Sequence, residues 1–158
     1  MATEVGRDRA RASLLDRLVD LDPGSPAEPR PLRTHTKTQL REAVRRDLEW
    51  LLSTRCPVPA HQLDPRQRTV VDYGVPDLLS LAPQDPDAHG RLATLLEQTL
   101  AAFEPRLRRV RVSVRRVRTT GLDVRIEAAL VIDHVTEPVS FSATVAGRGE
   151  PVTVEAHG

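Results

Sequence analysis

Glu104-Pro105-Arg106 is the triplet in this chain best able to do chemistry. It sits where a helical pattern stops and a strand pattern starts. Proline biases the residue before it away from helical geometry, so the helix should end at Glu104. A carboxylate there has the wrong sign, because the carbonyl end of a helix is partly negative. Glu104 therefore calls for a cation, from Arg106 or from an arginine elsewhere. The knuckle suits either catalysis or assembly. Hydrolysis of a glycosidic bond needs a second acid, about 5 Å away for retention or about 6.5–9.5 Å for inversion. Asp47 and Glu49 are the candidates, yet both lie in an arginine-rich helical stretch where surface ion pairs account for them. Sugar sites also want aromatic stacking surfaces, and only Trp50 and Tyr73 offer them.

Other chemistry finds less support. His35, His61, His89, His134 and His157 share no metal-ligand spacing, and Cys56 is the lone cysteine. A zinc site is not expected. Gly147-Arg148-Gly149 lacks the lysine and the following helix of a phosphate loop. No G-x-S-x-G elbow exists for a serine nucleophile. Arg106, Arg108, Arg109, Arg111, Arg115, Arg116 and Arg118 form a basic run that would suit phosphate. The next strand, however, offers Asp123 and Glu127 for cross-strand pairing. The net charge is only +1, so nothing draws the whole molecule to nucleic acid or membrane.

The elements that must position these groups follow from spacing. The 158 residues make one ordinary domain, large enough to bury a core without staples. One cysteine excludes an internal disulfide and fits a reducing compartment. Leu14-Leu15 and Leu18-Val19 are interrupted by Asp16 and Arg17, which argues against a signal peptide or membrane span. A cytoplasmic protein is expected. From Ala10 to Val19 the leucines fall on one face of a short amphipathic helix. Pro23, Pro26, Pro29 and Pro31 then make an extended connector. Such a helix can dock on a neighbour or pack on its own core. Residues 1–34 are thus read as helix plus connector, and residues 35–158 as the core domain.

A second helix starts at a capping box of Thr36 and Gln39. Leu40, Val44, Leu48, Leu51 and Leu52 recur at helical spacing. Glu42 with Arg46, and Arg45 with Glu49, are set to pair four residues apart. Tyr73-Gly74-Val75-Pro76-Asp77-Leu78 reads as a tight bend, with a helical turn around Leu78 to Leu81. The third helix begins near Asp85-Pro86. It buries Leu92, Leu95, Leu96, Thr99 and Phe103, and ends at the knuckle. Beyond it the period is two. Val110, Val112 and Val114, then Leu122 to Ile132, then Val139 to Val145 alternate with polar residues. Val152-Thr153-Val154 is a candidate short edge strand. The fold class is α+β: helices on one face of a small antiparallel meander, in two layers.

Four segments now stand in order: Leu14-Leu15-Asp16-Arg17-Leu18, the stretch Val44 to Arg55, Tyr73 to Leu78, and Phe103-Glu104-Pro105-Arg106-Leu107. Together they resemble the TssE family, the small baseplate subunits of bacterial type VI secretion systems. That family is similar to a wedge protein of contractile phage tail baseplates and carries the label lysozyme-like. Ser53 and Val75 depart from its usual asparagine and leucine. The resemblance implies a structural role without catalysis or cofactor. It implies a place in a cytoplasmic baseplate beside the wedge subunits TssF and TssG, the connector TssK and the contractile sheath subunits. It also implies that Glu104, Pro105 and Arg106 make a polar contact needed for assembly. The residues assigned to partner binding are Glu104, Pro105, Arg106, Arg109, Arg111, Tyr73 and Asp77. A peptidoglycan hydrolase is the competing reading. A wedge protein of a phage tail or of an extracellular contractile injection system is another.

Overall fold

The computed structural model describes residues 9–19, 24, 33–76, 86–117, 121–133, 135–145 and 152–157. Asp77, the turn expected around Leu78 to Leu81, Arg118 and His134 lie outside them.

The N-terminal segment differs from the expected helix. Strand β1 (Arg9–Arg11) comes first and pairs antiparallel with β2 (Thr34–Thr36), Ala10 opposite His35. Helix α1 is only Leu14–Leu18. Its start is fixed by Ser13: the Ser13 hydroxyl accepts from the Asp16 amide, and the Asp16 carboxylate accepts from the Ser13 amide, both at 3.1 Å. This capping box satisfies free amides that would otherwise need water. β2 spans the expected boundary at residue 34, so this pairing ties the N-terminal segment to the start of α2.

Helix α2 (Lys37–Ser53) carries the predicted Thr36–Gln39 capping box and buries Leu40, Ala43, Val44, Leu48, Leu51 and Leu52. Arg45 pairs with Glu49 as the spacing predicts, and also with Glu42 at 2.7 Å. Arg46 does not take Glu42; it turns toward Asp16 and Asp47. After α2 the chain returns on itself. The Cys56 amide donates to the Val75 carbonyl and the Val75 amide to the Thr54 carbonyl, each at 2.9 Å. Gly74 makes the bend with φ +105°, and a Cβ there would lie 2.4 Å from the Thr54 carbonyl oxygen. Gly74→Ala should therefore cost about 2 kcal/mol or more. A lowered urea midpoint at unchanged slope would show it, and an unchanged midpoint would refute the strain argument.

Helix α3 (Pro86–Phe103) opens on its proline and stops at the knuckle, as the sequence indicates. Strands β3 (Leu107–Val117), β4 (Gly121–Ile132), β5 (Val135–Val145) and β6 (Thr153–His157) follow as a meander in sequential order. Alternation sends Leu122, Val124, Ile126, Leu130, Phe141, Ala143 and Val154 into the core. There they meet Leu40, Val44, Leu48, Leu92, Leu96 and Leu100 from the helices. Helix α3 lies along β3 and α2 along β6. The result is the two-layer α+β domain. A bulge between Arg108 and Arg111, with Arg109 at φ 53°, interrupts the β3–β4 register.

Candidate functional site

The knuckle is a tight turn. The Leu107 amide donates to the Glu104 carbonyl at 3.1 Å, and the Glu104 amide closes α3 on the Leu100 carbonyl at 2.8 Å. Pro105 occupies the turn position that its fixed φ suits. The turn folds Arg106 back onto Glu104. Glu104 Oε1 accepts from the Arg106 amide at 3.2 Å and from Nε at 2.7 Å, while Oε2 accepts from Nη2. This meets the demand for a cation at the helix end.

The pair belongs to a longer chain of alternating charges. Arg106 Nη2 also donates to Asp47 Oδ2. Arg46 Nη2 joins Asp47 Oδ1, at 2.9 Å, to Asp16 Oδ1. Asp16 Oδ2 accepts from the Ser13 hydroxyl at 2.7 Å and lies 3.1 Å from His35 Nε2. Glu104, Asp16 and His35 are 3%, 4% and 6% exposed. Burying charges costs several kcal/mol per ion unless each is paired. The carboxylates of Asp16, Asp47 and Glu104 are each hydrogen-bonded to an arginine, while Arg106 Nη1 and both ring nitrogens of His35 are buried without a well-aligned hydrogen-bond partner.

The protonation states follow. Burial pushes Asp16 up, but hydrogen bonds from Ser13, Arg46 and His35 outweigh it and hold the carboxyl well below the usual range. Burial works against the Arg106 charge, yet Glu104 and Asp47 outweigh it and raise the guanidinium above its ordinary value. Burial raises the Tyr73 hydroxyl, reinforced by the charges of Asp47 and Glu104.

A cleft of about 310 Å³ opens over this chain. Tyr73, Phe103, Leu15, Trp50 and Pro105 line it together with Asp47, Glu104 and Arg106. Tyr73 packs edge-on against Phe103, centroids 5.3 Å apart. Arg46 stacks over Trp50 at 4.8 Å. The lining is apolar and wet at Leu15 and Trp50, 48% and 41% exposed, and Leu14 and Leu18, on the same short helix as Leu15, are 69% and 72% exposed. Helix α1 thus turns its acid inward and its leucines outward.

The structure gathers Tyr73, Glu104, Pro105 and Arg106 in one place. Arg109 and Arg111 lie elsewhere, exposed on β3. The register sets Arg111 opposite Glu127 and Arg115 opposite Asp123. Glu127 instead pairs with Arg125 at 3.1 Å. Among the described residues Arg111 and Arg115 make no ion pair, so the expected cross-strand neutralisation is not realised there. Sequence reasoning missed Asp16, His35 and Arg46 as site members and left Asp47 as a surface acid. The one local signal was the Ser13-x-x-Asp16 box.

Residues 38–135, more than half of the chain, match the family model of the baseplate wedge protein gp25. The chain belongs to this family. The resemblance drawn from the four segments therefore stands. Of the ionic chain, Arg46, Asp47, Glu104 and Arg106 lie inside the matched span of the wedge protein, while Asp16 and His35 precede it. Its fold is similar to a chain in a solved structure described as the baseplate complex from the type VI secretion system. That chain is 20% identical, with a TM-score of 0.50, covering 68% of the wedge protein and 95% of its own length. Among curated proteins none matches at a significant level.

Proposed function

We propose that this wedge protein is the TssE-type subunit of a type VI secretion baseplate, linking the wedge subunits to the contractile sheath on the cytoplasmic side. Its work is structural. The observation that carries this reading is the closed ionic chain beneath an exposed apolar rim. A general acid must reach its substrate, yet Glu104 is 3% exposed with both oxygens held by Arg106. The cleft offers what a protein contact uses: exposed leucines, Trp50 and Tyr73 around a rigid polar floor. TssF and TssG are the partners that fit it best, with TssK in the same assembly. Residues 1–34 act as an arm folded on the 35–158 core through β1 and Asp16. No helix among the described residues is long and apolar enough to cross a membrane.

Sheath priming uses the sheet. A free strand edge is a template for another chain, and an extended sheath arm would add there by main-chain hydrogen bonds. Val114→Pro tests this. Its amide points away from β4, so proline removes an outward donor and no ladder bond. The variant should remain folded by circular dichroism and lose recruitment of the sheath subunits to the purified baseplate by about tenfold. Normal recruitment by a folded variant would sink the reading.

A further inference from the structure

The two edges of the sheet are not equivalent. β6 is short, and its Val154 carbonyl is taken by Arg45 of α2 at 3.1 Å. β3 is eleven residues long. In an antiparallel pair, successive residues point their amide and carbonyl alternately toward and away from the partner. The Val112 amide donates to Glu97 Oε1 on α3 at 3.0 Å, not to β4. Val112, Val114 and Arg116 therefore carry the outward groups of β3. Below Val112 the edge is spoiled by the bulge at Arg108 to Arg111, a device that ends regular pairing. At Val112 a carboxylate stands where an added strand would place its carbonyl oxygen, and it would repel that oxygen. Above Val112 the groups of Val114 and Arg116 have no side chain across them among the described residues.

Charge adds a second filter. Arg111, Ser113 and Arg115 alternate with the outward-bonding residues and face the wet side of the sheet, exposed. Residues opposite them on an added strand would form the close, non-hydrogen-bonded pairs, about 4.5 Å between Cα atoms. Unpaired arginines at those places reject a basic strand, including β3 of a second copy, and select acids.

We propose that the β3 edge accepts an acidic extended segment along Val114 to Arg116, and that Glu97 is the gate that fixes where pairing stops. This rests on the reading of the sheet as a strand acceptor and names its edge, register and ligand charge. The segment alternates acidic and apolar residues, with an acid over Arg115.

The probe is a blocked peptide of alternating glutamate and valine, with a lysine–valine counterpart, titrated into the full chain and read by amide exchange in NMR spectra. The glutamate peptide should protect the Val114 and Arg116 amides and leave Val112 unchanged; the lysine peptide should protect neither. In Glu97→Ala, protection should extend to Val112 and affinity should rise about threefold. Equal effects of both peptides, or protection that ignores Glu97→Ala, would overturn the proposal. Protection confined to β6 would refute the choice of edge while leaving strand addition intact. No protection at either edge would remove the acceptor reading itself. If Glu97→Ala does not fold, the unmodified chain decides: its Val112 amide should exchange about tenfold more slowly than that of Val114. Equal rates would eliminate the gate.

Discussion

Arg106→Ala should lower stability by about 3–5 kcal/mol, the cost of leaving buried charge without its partner. The variant strands Glu104, 3% exposed, with only the backbone amide of residue 106 left to donate to Oε1 and nothing to Oε2. It also removes one of the two guanidiniums that hold Asp47. A domain of this size has about 5–15 kcal/mol in total, so the change takes a large share of it. Arg106→Lys should recover only part. Lysine keeps the charge, but its single ammonium does not reproduce a planar fork that meets Glu104 and Asp47 together. Urea unfolding of the three proteins should rank them wild type, lysine, alanine. An alanine variant within about 1 kcal/mol of wild type would mean that the chain of charges is a surface ornament. The burial of Glu104 also alters what substitution at the knuckle reports. On sequence alone, Glu104→Ala or Arg106→Ala is expected to harm assembly more than folding. With these groups under the cleft, the fold suffers as well. Rim residues such as Trp50 and Leu15 are the positions at which binding and stability separate.

Parts of this arrangement were legible in the sequence because the signals were local. A carboxylate at a helix end followed by proline announces its need for a cation, and Arg106 stands two residues on. Thr36 with Gln39 fixes the start of α2. The strands show because one face is wet and the other buried, so Leu122, Val124 and Ile126 alternate with Asp123, Arg125 and Glu127. The rest depended on distance along the chain. Arg106 meets Asp47 across 59 residues, and Arg46 meets Asp16 across 30. No periodicity links such pairs, and each arginine had a plausible nearer acid. Strands β1 and β2 are three residues each, too short for alternation to register. The leucines of α1 marked an apolar face without saying which way it turns. The capping box and Arg46 decided that by drawing Asp16 inward. The bulge at Arg109 gave no sign either, since an arginine at φ 53° looks like any other arginine in a basic strand.

Asp16 should make the docking of the N-terminal arm sensitive to acid. Its folded carboxyl is held well below the ordinary value. A group depressed in the folded state stabilises it above the unfolded pKa, near 3.9, and that contribution is lost as pH falls below it. At neutral pH, Asp16→Asn should therefore be less stable by about 2 kcal/mol, the worth of hydrogen bonds to a charged group. At about pH 3 the difference should shrink, because the unfolded carboxyl then takes up a proton that the folded one still refuses. Paired urea titrations at the two pH values measure this directly. Amide exchange at Ala10 and His35 would report whether the β1–β2 pair opens first. A gap that is the same at both pH values would show that shape, not charge, holds the arm. The consequence for assembly follows from geometry. Asp16 is the inward anchor of a helix whose Leu14, Leu15 and Leu18 face out. Releasing it dissolves one wall of the cleft while Glu104 and Arg106 remain in place. Loss of partner binding in Asp16→Asn, with the Glu104–Arg106 turn intact, would therefore locate the recognition surface in the arm as much as in the knuckle.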